Sequence, residues 1–152
     1  MTVRTAVRWI DETHFVGIDS GRHAVVLSGQ TEAIGAKPSE LLLIALAACS
    51  AVDVVEILRK KRIALRFFEV LTEAERDPEP PWPYRRIELV YRLAGRGLTA
   101  KAAEQAIRLS QDKYCSVAAT VRGVAELGWR LELLEEEGSP HSGTADGSPP
   151  GL

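Results

Sequence analysis

The feature that most constrains the fold is an apolar stretch in the first half of the chain. Residues 41–55 are apolar at all but two positions. Pro38 and Glu40 come before it and suit the first turn of a helix, where a missing N–H group costs little and a negative charge meets the positive end of the helix dipole. The basic run at 59–62 suits the opposite end. The pattern predicts a helix over residues 37–62.

A helix that is apolar nearly all round cannot lie on a sheet with its other side in water. Its fifteen-residue apolar run is short for a bilayer, which takes about 20 residues. We therefore predict a buried core helix whose free side meets a second subunit. Because closed two-fold dimers are the commonest oligomers, a homodimer is the expected assembly.

Composition limits the class of protein. The chain has 152 residues, 45% hydrophobic and 26% charged, as expected for one globular domain. We predict that this domain spans 1–137 and that the Gly/Ser/Pro-rich segment 138–152 is a flexible tail. A net charge of −2 disfavours a nucleic-acid partner, which needs a strong basic excess. With no signal-peptide pattern at the start, we expect a cytoplasmic location and no membrane partner.

Alternating apolar residues predict the strands. Three short strands, separated by turn signals, precede the long helix, and a hairpin follows it. A proline-rich segment at 77–84 must be the hairpin loop, because proline removes backbone donors and disfavours helix for its predecessor. A second helix starting after Thr99 and ending near Lys113, a short helix at 116–121 and a last strand complete the domain. Strands in blocks predict an α+β fold with mainly antiparallel sheets.

Cys49 and Cys115 are the only cysteines in the sequence. In a reducing compartment they are expected to be free thiols or a cycling redox pair. The CxxC and HExxH spacings are missing from the sequence, so neither a metal nor another cofactor is expected. Taken alone, Cys49 reads as a small apolar filler of the helix.

Two sequence contexts resemble a known family. Residues 38–43 read PSELLL and lead to AAC at 47–49, and KYCSV follows the second helix at 113–117. Together with the hairpin at 82–95, these segments are similar to the OsmC/Ohr superfamily of thiol-dependent hydroperoxide-reducing proteins, and to its YhfA-like branch in particular. The resemblance covers about residues 3–134.

The resemblance implies a fold and a reaction. The fold would be an intertwined homodimer of antiparallel sheets wrapped around a long buried central helix. Cys49 would reduce an organic hydroperoxide and become a sulfenic acid, which Cys115 would resolve as a disulfide, in defence against oxidative or osmotic stress. This sequence of steps protects the first thiol from further oxidation. An external thiol, either a dithiol or a lipoyl carrier, would regenerate the pair.

A reactive thiolate at Cys49 needs a cation nearby. The helix dipole helps little in mid-helix, and Asp53 lies one turn later on the same face, where its charge disfavours a thiolate. Family members use an arginine from a glycine-containing loop near the N-terminus, which makes Arg22 the best candidate, with Arg8 and Arg4 behind it. The alternative is that Arg22 is only a solvated turn residue.

Two further positions depart from simple expectation. In Ohr-type members a glutamate directly follows the proline that starts the helix; Ser39 holds that place here, and Glu40 comes next. Glu40 is a candidate catalytic residue. At about 100° per residue, however, it points away from Cys49 on a straight helix. The alternative is that Glu40 only places a negative charge at the start of the helix. Cys115 would lie at the positive end of a short helix, which predicts the more acidic thiol. Family precedent instead makes Cys49 the attacking thiol.

Two alternatives stay open. The cysteines may be only core, in a non-catalytic protein of the same fold that binds a small hydrophobic ligand in the dimer cleft. Trp82, in the proline-rich loop, either closes the hairpin and caps the core, which is the favoured interpretation, or walls an apolar pocket for the hydroperoxide.

Overall fold

The computed structural model describes residues 1–29 and 34–135. The predicted tail at 138–152 and part of the loop before the long helix lie outside these ranges. The elements, in chain order, are β1 (Ala6–Asp11), β2 (His14–Ile18), β3 (Ala24–Ser28), α1 (Pro38–Lys60), β4 (Ala64–Arg76), β5 (Tyr84–Arg96), α2 (Ala100–Leu109), a π turn (Ser110–Tyr114), α3 (Ser116–Val121) and β6 (Glu126–Leu133).

Helix α1 is the predicted central helix, and its ends follow the local signals. Pro38 occupies the first turn, and Arg59 and Lys60 lie in the last. One stripe of the helix, at intervals of four residues, is buried: Leu46, Ser50, Val54 and Leu58. Other parts of the helix are exposed in the single chain and carry large apolar residues: Leu42 near its start, and Ile44, Val52 and Val55 away from the buried stripe. The chain therefore covers only one side of a helix that was predicted to be buried all round.

The covered side of α1 packs against the second sheet and the helices that follow it. In this sheet β4 pairs antiparallel with β5, and β6 pairs parallel with β5. The inward face of β5 is completely buried, at Ile87, Leu89, Tyr91 and Leu93. The parallel pair needs a crossover connection, which α2, the π turn and α3 provide. An α+β fold with a long central helix and two sheets is thus confirmed.

Strands β1, β2 and β3 form a separate antiparallel sheet, the N-terminal sheet. They pack mainly on one another, and every residue of β1 is exposed. Val7 and Trp9 keep 65% and 67% of their surface accessible. Such apolar exposure on a three-stranded sheet indicates that its partner surface lies outside the single chain.

Helix α1 is long and apolar enough to cross a membrane by length and composition, although buried core helices of water-soluble proteins pass the same test. Its contacts with β4, α2, the π turn and α3 place one side in a protein core. The hydroxyl of Ser50 on that side is hydrogen-bonded to other side chains, as buried polar groups in a core are.

The second helix begins as predicted but ends differently. The Thr99 side chain accepts a hydrogen bond from the Ala102 N–H at 3.2 Å, which confirms the predicted N-cap. The α-helix stops at Leu109, and a π turn follows in which the Cys115 N–H donates to the Ser110 carbonyl at 2.8 Å. Wider turns of this kind occur mostly at functional sites.

Candidate functional site

The structure brings the two cysteines together. Cys49 lies in the middle of α1 and is partly exposed, whereas Cys115 lies between the π turn and α3 and is only 2% exposed. Both are free thiols, and the Cys49 thiol lies close enough to the Cys115 thiol to raise its pKa. The Ala118 N–H also donates to the Cys115 Sγ at 3.4 Å. Thiols that are 66 residues apart in sequence thus meet where α1 packs against the start of α3.

The position of Cys115 at the start of α3 does not make its thiol acidic, contrary to prediction. Burial, and next the contact with the Cys49 thiol, raise the pKa of the Cys115 thiol from its ordinary 9.0 to about 11. The hydrogen bonds from Ala118 and Val117 at the start of α3 act in the opposite direction but are weaker. Since α3 has only six residues, its dipole does not overcome the cost of desolvating a thiolate.

A buried polar network lies beside the thiols, and it joins α1, β5 and the π turn. The Ser50 Oγ lies 2.6 Å from the Tyr91 hydroxyl and 2.8 Å from the Ser110 Oγ. The Gln111 Nε2 donates to the Ser50 Oγ at 3.1 Å and to the Tyr91 hydroxyl at 2.7 Å. The Ser110 hydroxyl donates to the Asp53 carboxylate at 2.9 Å. Gln111 and the three residues that connect it to Asp53 are each at most 3% exposed.

Counting protons gives the network a direction. Each hydroxyl has one proton, and an ionised carboxylate only accepts. The Ser110 proton goes to Asp53, so Ser50 donates to Ser110 and Tyr91 donates to Ser50. The Gln111 amide supplies the remaining two donors. Every proton of the network is used once, and the donors point in sequence towards Asp53.

Tyr91 is a neutral member of this network. Burial raises the pKa of Tyr91 to about 12, although the hydrogen bonds with Ser50 and Gln111 act against it. Its ring also packs edge-on against Trp129, with the ring centres 6.4 Å apart. The tyrosine therefore acts as a fixed hydrogen-bonding group that is neutral at physiological pH.

Asp53 supplies a negative charge close to Cys49. It lies four residues later on α1, the spacing that places two side chains on one face of a helix. Within residues 1–29 and 34–135, no lysine or arginine forms an ion pair with Asp53. A thiolate at Cys49 would thus be opposed by this carboxylate unless a cation comes from elsewhere.

The other two predicted site residues do not reach the thiols within the single chain. Arg22 lies in the turn between β2 and β3, exposed and with a φ of 68°. In the described part of the chain its guanidinium makes no hydrogen bond or ion pair. Glu40 is exposed on the first turn of α1 and pairs with the Lys37 Nζ at 3.2 Å. Trp82 lies in the turn of the hairpin, where its backbone N–H donates to the Glu79 carbonyl at 2.9 Å. Its side chain is 51% exposed and does not cap the core of the single chain.

Sequence reasoning missed the network residues Ser50, Tyr91, Ser110 and Gln111. One signal was present, since Ser50 and Asp53 are the two polar positions in the apolar stretch of α1. Polar residues at such positions need buried partners. Their partners come from segments 41 to 61 residues away from Ser50, which no local pattern could identify.

The fold agrees with the comparisons to known proteins. The family model described as "OsmC-like protein" matches residues 29–129. The chain is 35% identical to Protein YhfA of Escherichia coli strain K12 over 132 residues, which covers 87% of this chain and 98% of the relative. The chain belongs to the OsmC-like family.

Solved structures show the same architecture. The crystal structure of a hypothetical protein from Aquifex aeolicus VF5 is 30% identical, with a TM-score of 0.74, and the match covers 89% of this chain and 99% of that one. The organic hydroperoxide resistance protein OhrB of Bacillus subtilis is 16% identical, with a TM-score of 0.57, over 87% and 98% of the two chains. At that identity the likeness to OhrB concerns the fold alone.

The shifted acidity of Cys115 predicts an unusual pH dependence. In a Cys49→Ser protein, Cys115 is the remaining thiol, and burial, the largest cause of its raised pKa, persists. Because the thiolate is the reactive form, its alkylation rate should rise about tenfold per pH unit until the pKa is reached. When the rate of iodoacetamide labelling is plotted against pH, its inflection should lie clearly above 9.0, the ordinary pKa of a cysteine thiol.

The same protein unfolded in urea is the control, and its labelling should show the ordinary thiol pKa. An identical inflection in the folded and unfolded protein would contradict the effect of burial.

Proposed function

We propose that the protein is a thiol-dependent peroxidase that reduces organic hydroperoxides through Cys49 and Cys115. The observation that carries the proposal is the pair of neighbouring free thiols, with one partly exposed and the other buried. A peroxide can reach only an exposed thiol, and a resolving thiol must already lie beside it. The arrangement therefore favours Cys49 as the attacking group and Cys115 as the resolving group.

The reaction runs in three steps. The Cys49 thiolate attacks the distal oxygen of the hydroperoxide, the O–O bond breaks, and the alkoxide leaves as an alcohol after taking a proton. Cys49 is then a sulfenic acid. The Cys115 thiol attacks its sulfur, an S–S bond forms, and the hydroxyl group leaves with the thiol proton as water. An external dithiol or a lipoyl carrier returns the disulfide to two thiols by exchange.

Two considerations support a peroxide as the substrate. Membership of the OsmC-like family places the chain among folds that include an organic hydroperoxide resistance protein. The two thiols are also poised to form a disulfide without a CxxC motif, which distinguishes them from the usual disulfide exchangers. A cytoplasmic location, where thiols are kept reduced, is part of the same proposal.

The active form proposed is a homodimer. Two apolar surfaces are open in the single chain, one on α1 and one on the N-terminal sheet, and they include Val52 and Trp9. A second copy carries the same two apolar surfaces, and a two-fold dimer would bury these surfaces on both chains. This arrangement gives the N-terminal sheet a partner that its own chain does not supply.

The dimer also offers a source for the missing cation. Asp53 and Cys49 have no guanidinium beside them in the described chain, and Arg22 has no side-chain partner there. Arginine stays charged at all physiological pH values and can bind a carboxylate while facing a thiolate. We infer that Arg22 of a second copy serves the Cys49 thiolate, whereas Glu40, already paired with Lys37, has a lesser role at the start of the helix.

The peroxidase proposal predicts distinct products for the two cysteine variants. With tert-butyl hydroperoxide, the wild-type protein should lose both free thiols and gain a Cys49–Cys115 disulfide, as measured by mass spectrometry. Cys49→Ser should abolish dithiol-dependent peroxide consumption. In Cys115→Ser, peroxide should still oxidise Cys49 to a sulfenic acid, which a dione reagent traps. Without the reagent, more peroxide should oxidise this sulfenic acid to the sulfinic acid.

Thiols that survive excess hydroperoxide unchanged, or a Cys49→Ser protein with full turnover, would remove the enzymatic proposal. The family fold would then be left with the ligand-binding alternative.

The homodimer predicts a mass of about twice 16.6 kDa in sedimentation equilibrium. Val52→Asp places a charge on the open side of α1 and should convert the protein to monomers or make it insoluble. Val124→Asp is the matched control, because Val124 is also exposed (76%) but lies in the turn after α3. A monomeric wild type, or recovery only with membranes, would contradict the dimer.

The role of Arg22 in the partner's site predicts complementation. Co-expressed Arg22→Ala and Cys49→Ser chains form mixed dimers with one intact site, if the arginine acts across the interface. With random pairing, about a quarter of wild-type activity should return, although each variant alone is inactive. Arg8→Ala replaces Arg22→Ala in the control and should be active by itself. Inactive mixed dimers would place the arginine and the thiol in the same chain.

A further inference from the structure

The buried polar network touches the segments of both cysteines. Ser50 is the residue after Cys49 on α1, and Ser110 opens the π turn that leads to Cys115. The two serine hydroxyls lie 2.8 Å apart. Through its carbonyl, Ser110 also accepts the hydrogen bond of the Cys115 N–H at 2.8 Å. A single residue therefore connects the backbone of Cys115 with the helix that carries Cys49.

Further hydrogen bonds fix the π turn from two other directions. From β5, the Tyr91 hydroxyl lies 2.7 Å from the Gln111 amide nitrogen and 2.6 Å from the Ser50 Oγ. From the end of α3, the Arg122 Nη2 donates to the Gln111 carbonyl at 2.7 Å. The turn before Cys115 is thus tied to α1, to the sheet and to α3.

The site needs such hydrogen bonds because the packing around it does little to fix the orientation of α1 relative to the π turn. Apart from this network and the hydrogen bond from the Tyr84 hydroxyl to the Ser39 carbonyl at 3.0 Å, the contact between α1 and its surroundings is largely apolar. Apolar packing has little directional preference. Hydrogen bonds have narrow distance and angle requirements, and a fully satisfied buried network specifies one arrangement of the groups that it joins. Every proton of this network has an acceptor, so the network loses hydrogen bonds if the π turn moves relative to α1.

We propose that Ser110, with Ser50, Gln111 and Tyr91, is a positioning residue that holds the Cys115 thiol against Cys49, so that disulfide closure outruns further oxidation. This inference rests on the proposed function. It assigns the network to the second chemical step and gives it no part in the attack of Cys49 on the peroxide.

The competing reaction makes the proposal measurable. A Cys49 sulfenic acid that is not resolved reacts with a second hydroperoxide molecule, which transfers one oxygen to the sulfur and leaves as an alcohol, giving a sulfinic acid. Disulfide closure has no dependence on peroxide concentration, whereas this second oxidation does. The ratio of sulfinic acid to disulfide at a set peroxide concentration therefore reports how well Cys115 is positioned.

The experiment compares Ser110→Ala and Tyr91→Phe with the wild-type protein. The first change breaks the connection to Ser50 and Asp53, and the second removes one hydroxyl with little change of volume. Ser28→Ala is the matched control, because Ser28 is also fully buried and hydrogen-bonded, with the Gly35 carbonyl at 3.1 Å, but lies in the N-terminal sheet. The wild-type protein and the three full-length variants are treated with tert-butyl hydroperoxide and analysed by mass spectrometry.

Both network variants should raise the ratio of sulfinic acid to disulfide roughly tenfold, the factor that corresponds to one buried hydrogen bond. Ser28→Ala should leave the ratio unchanged, which separates positioning from a general loss of stability. If Ser110→Ala fails to fold, Tyr91→Phe decides. An unchanged ratio in the network variants, or an equal rise in Ser28→Ala, would overturn the proposal.

A second measurement needs no peroxide. In a dithiothreitol redox buffer, the equilibrium constant for forming the Cys49–Cys115 disulfide should fall roughly tenfold in the network variants. If the wild-type protein does not react with hydroperoxide but the network variants show this fall relative to wild type, the peroxidase function is disproved and the positioning role is kept. A wild-type protein that is oxidised, with variants unchanged in both measurements, would disprove only the positioning role.

Discussion

The contact between one side of α1 and the turn before α3 determines what this protein can do. Apolar residues such as Leu46 and Val54 supply the adhesion, and the hydrogen bonds of Ser50 supply the alignment. Desolvating these hydroxyls costs free energy that only complete hydrogen bonding offsets. The cysteines lie at the edge of this arrangement, and their contact is a consequence of it.

The two sides of α1 have different characters. On the covered side, an apolar surface surrounds a small polar network, which gives the contact a unique geometry. The open side is apolar without such groups, as at Val52 and Val55. The same helix thus provides a precise contact within the chain and an open apolar surface, which we propose meets a second copy.

The acidity of the thiols illustrates a competition that sequence position cannot decide. A cysteine before a helix is expected to be acidic because the free N–H groups of the first turn stabilise its thiolate. At Cys115 those donors are present, yet burial has the larger effect and raises the pKa. In the proposed reaction, the buried Cys115 thiol stays protonated until a sulfenic acid forms at Cys49. Such a thiol suits the resolving step better than the attacking step.

Local signals in the sequence were sufficient for much of the fold. Pro38 and the basic residues after Leu58 defined α1, Thr99 defined the start of α2, and alternating residues defined the hairpin, since each depends on neighbours within a few positions. The π turn was missed because it continues a helical pattern with only a change of hydrogen-bond partner. The parallel pairing of β6 with β5 was also missed, because strand direction depends on a long crossover.

The sequence by itself determined the family, the helices, most strands and the two cysteines that matter. Only the tertiary structure decided that the two thiols are neighbours and that burial raises the pKa of Cys115, contrary to expectation. It also decided that one network joins Ser50, Tyr91, Ser110 and Gln111. It also placed Arg22 and the N-terminal sheet away from the thiols of their own chain. The physical reason is the same in each case. Burial and hydrogen bonding depend on groups that are distant in sequence, and their strengths follow from distances that only the folded chain defines.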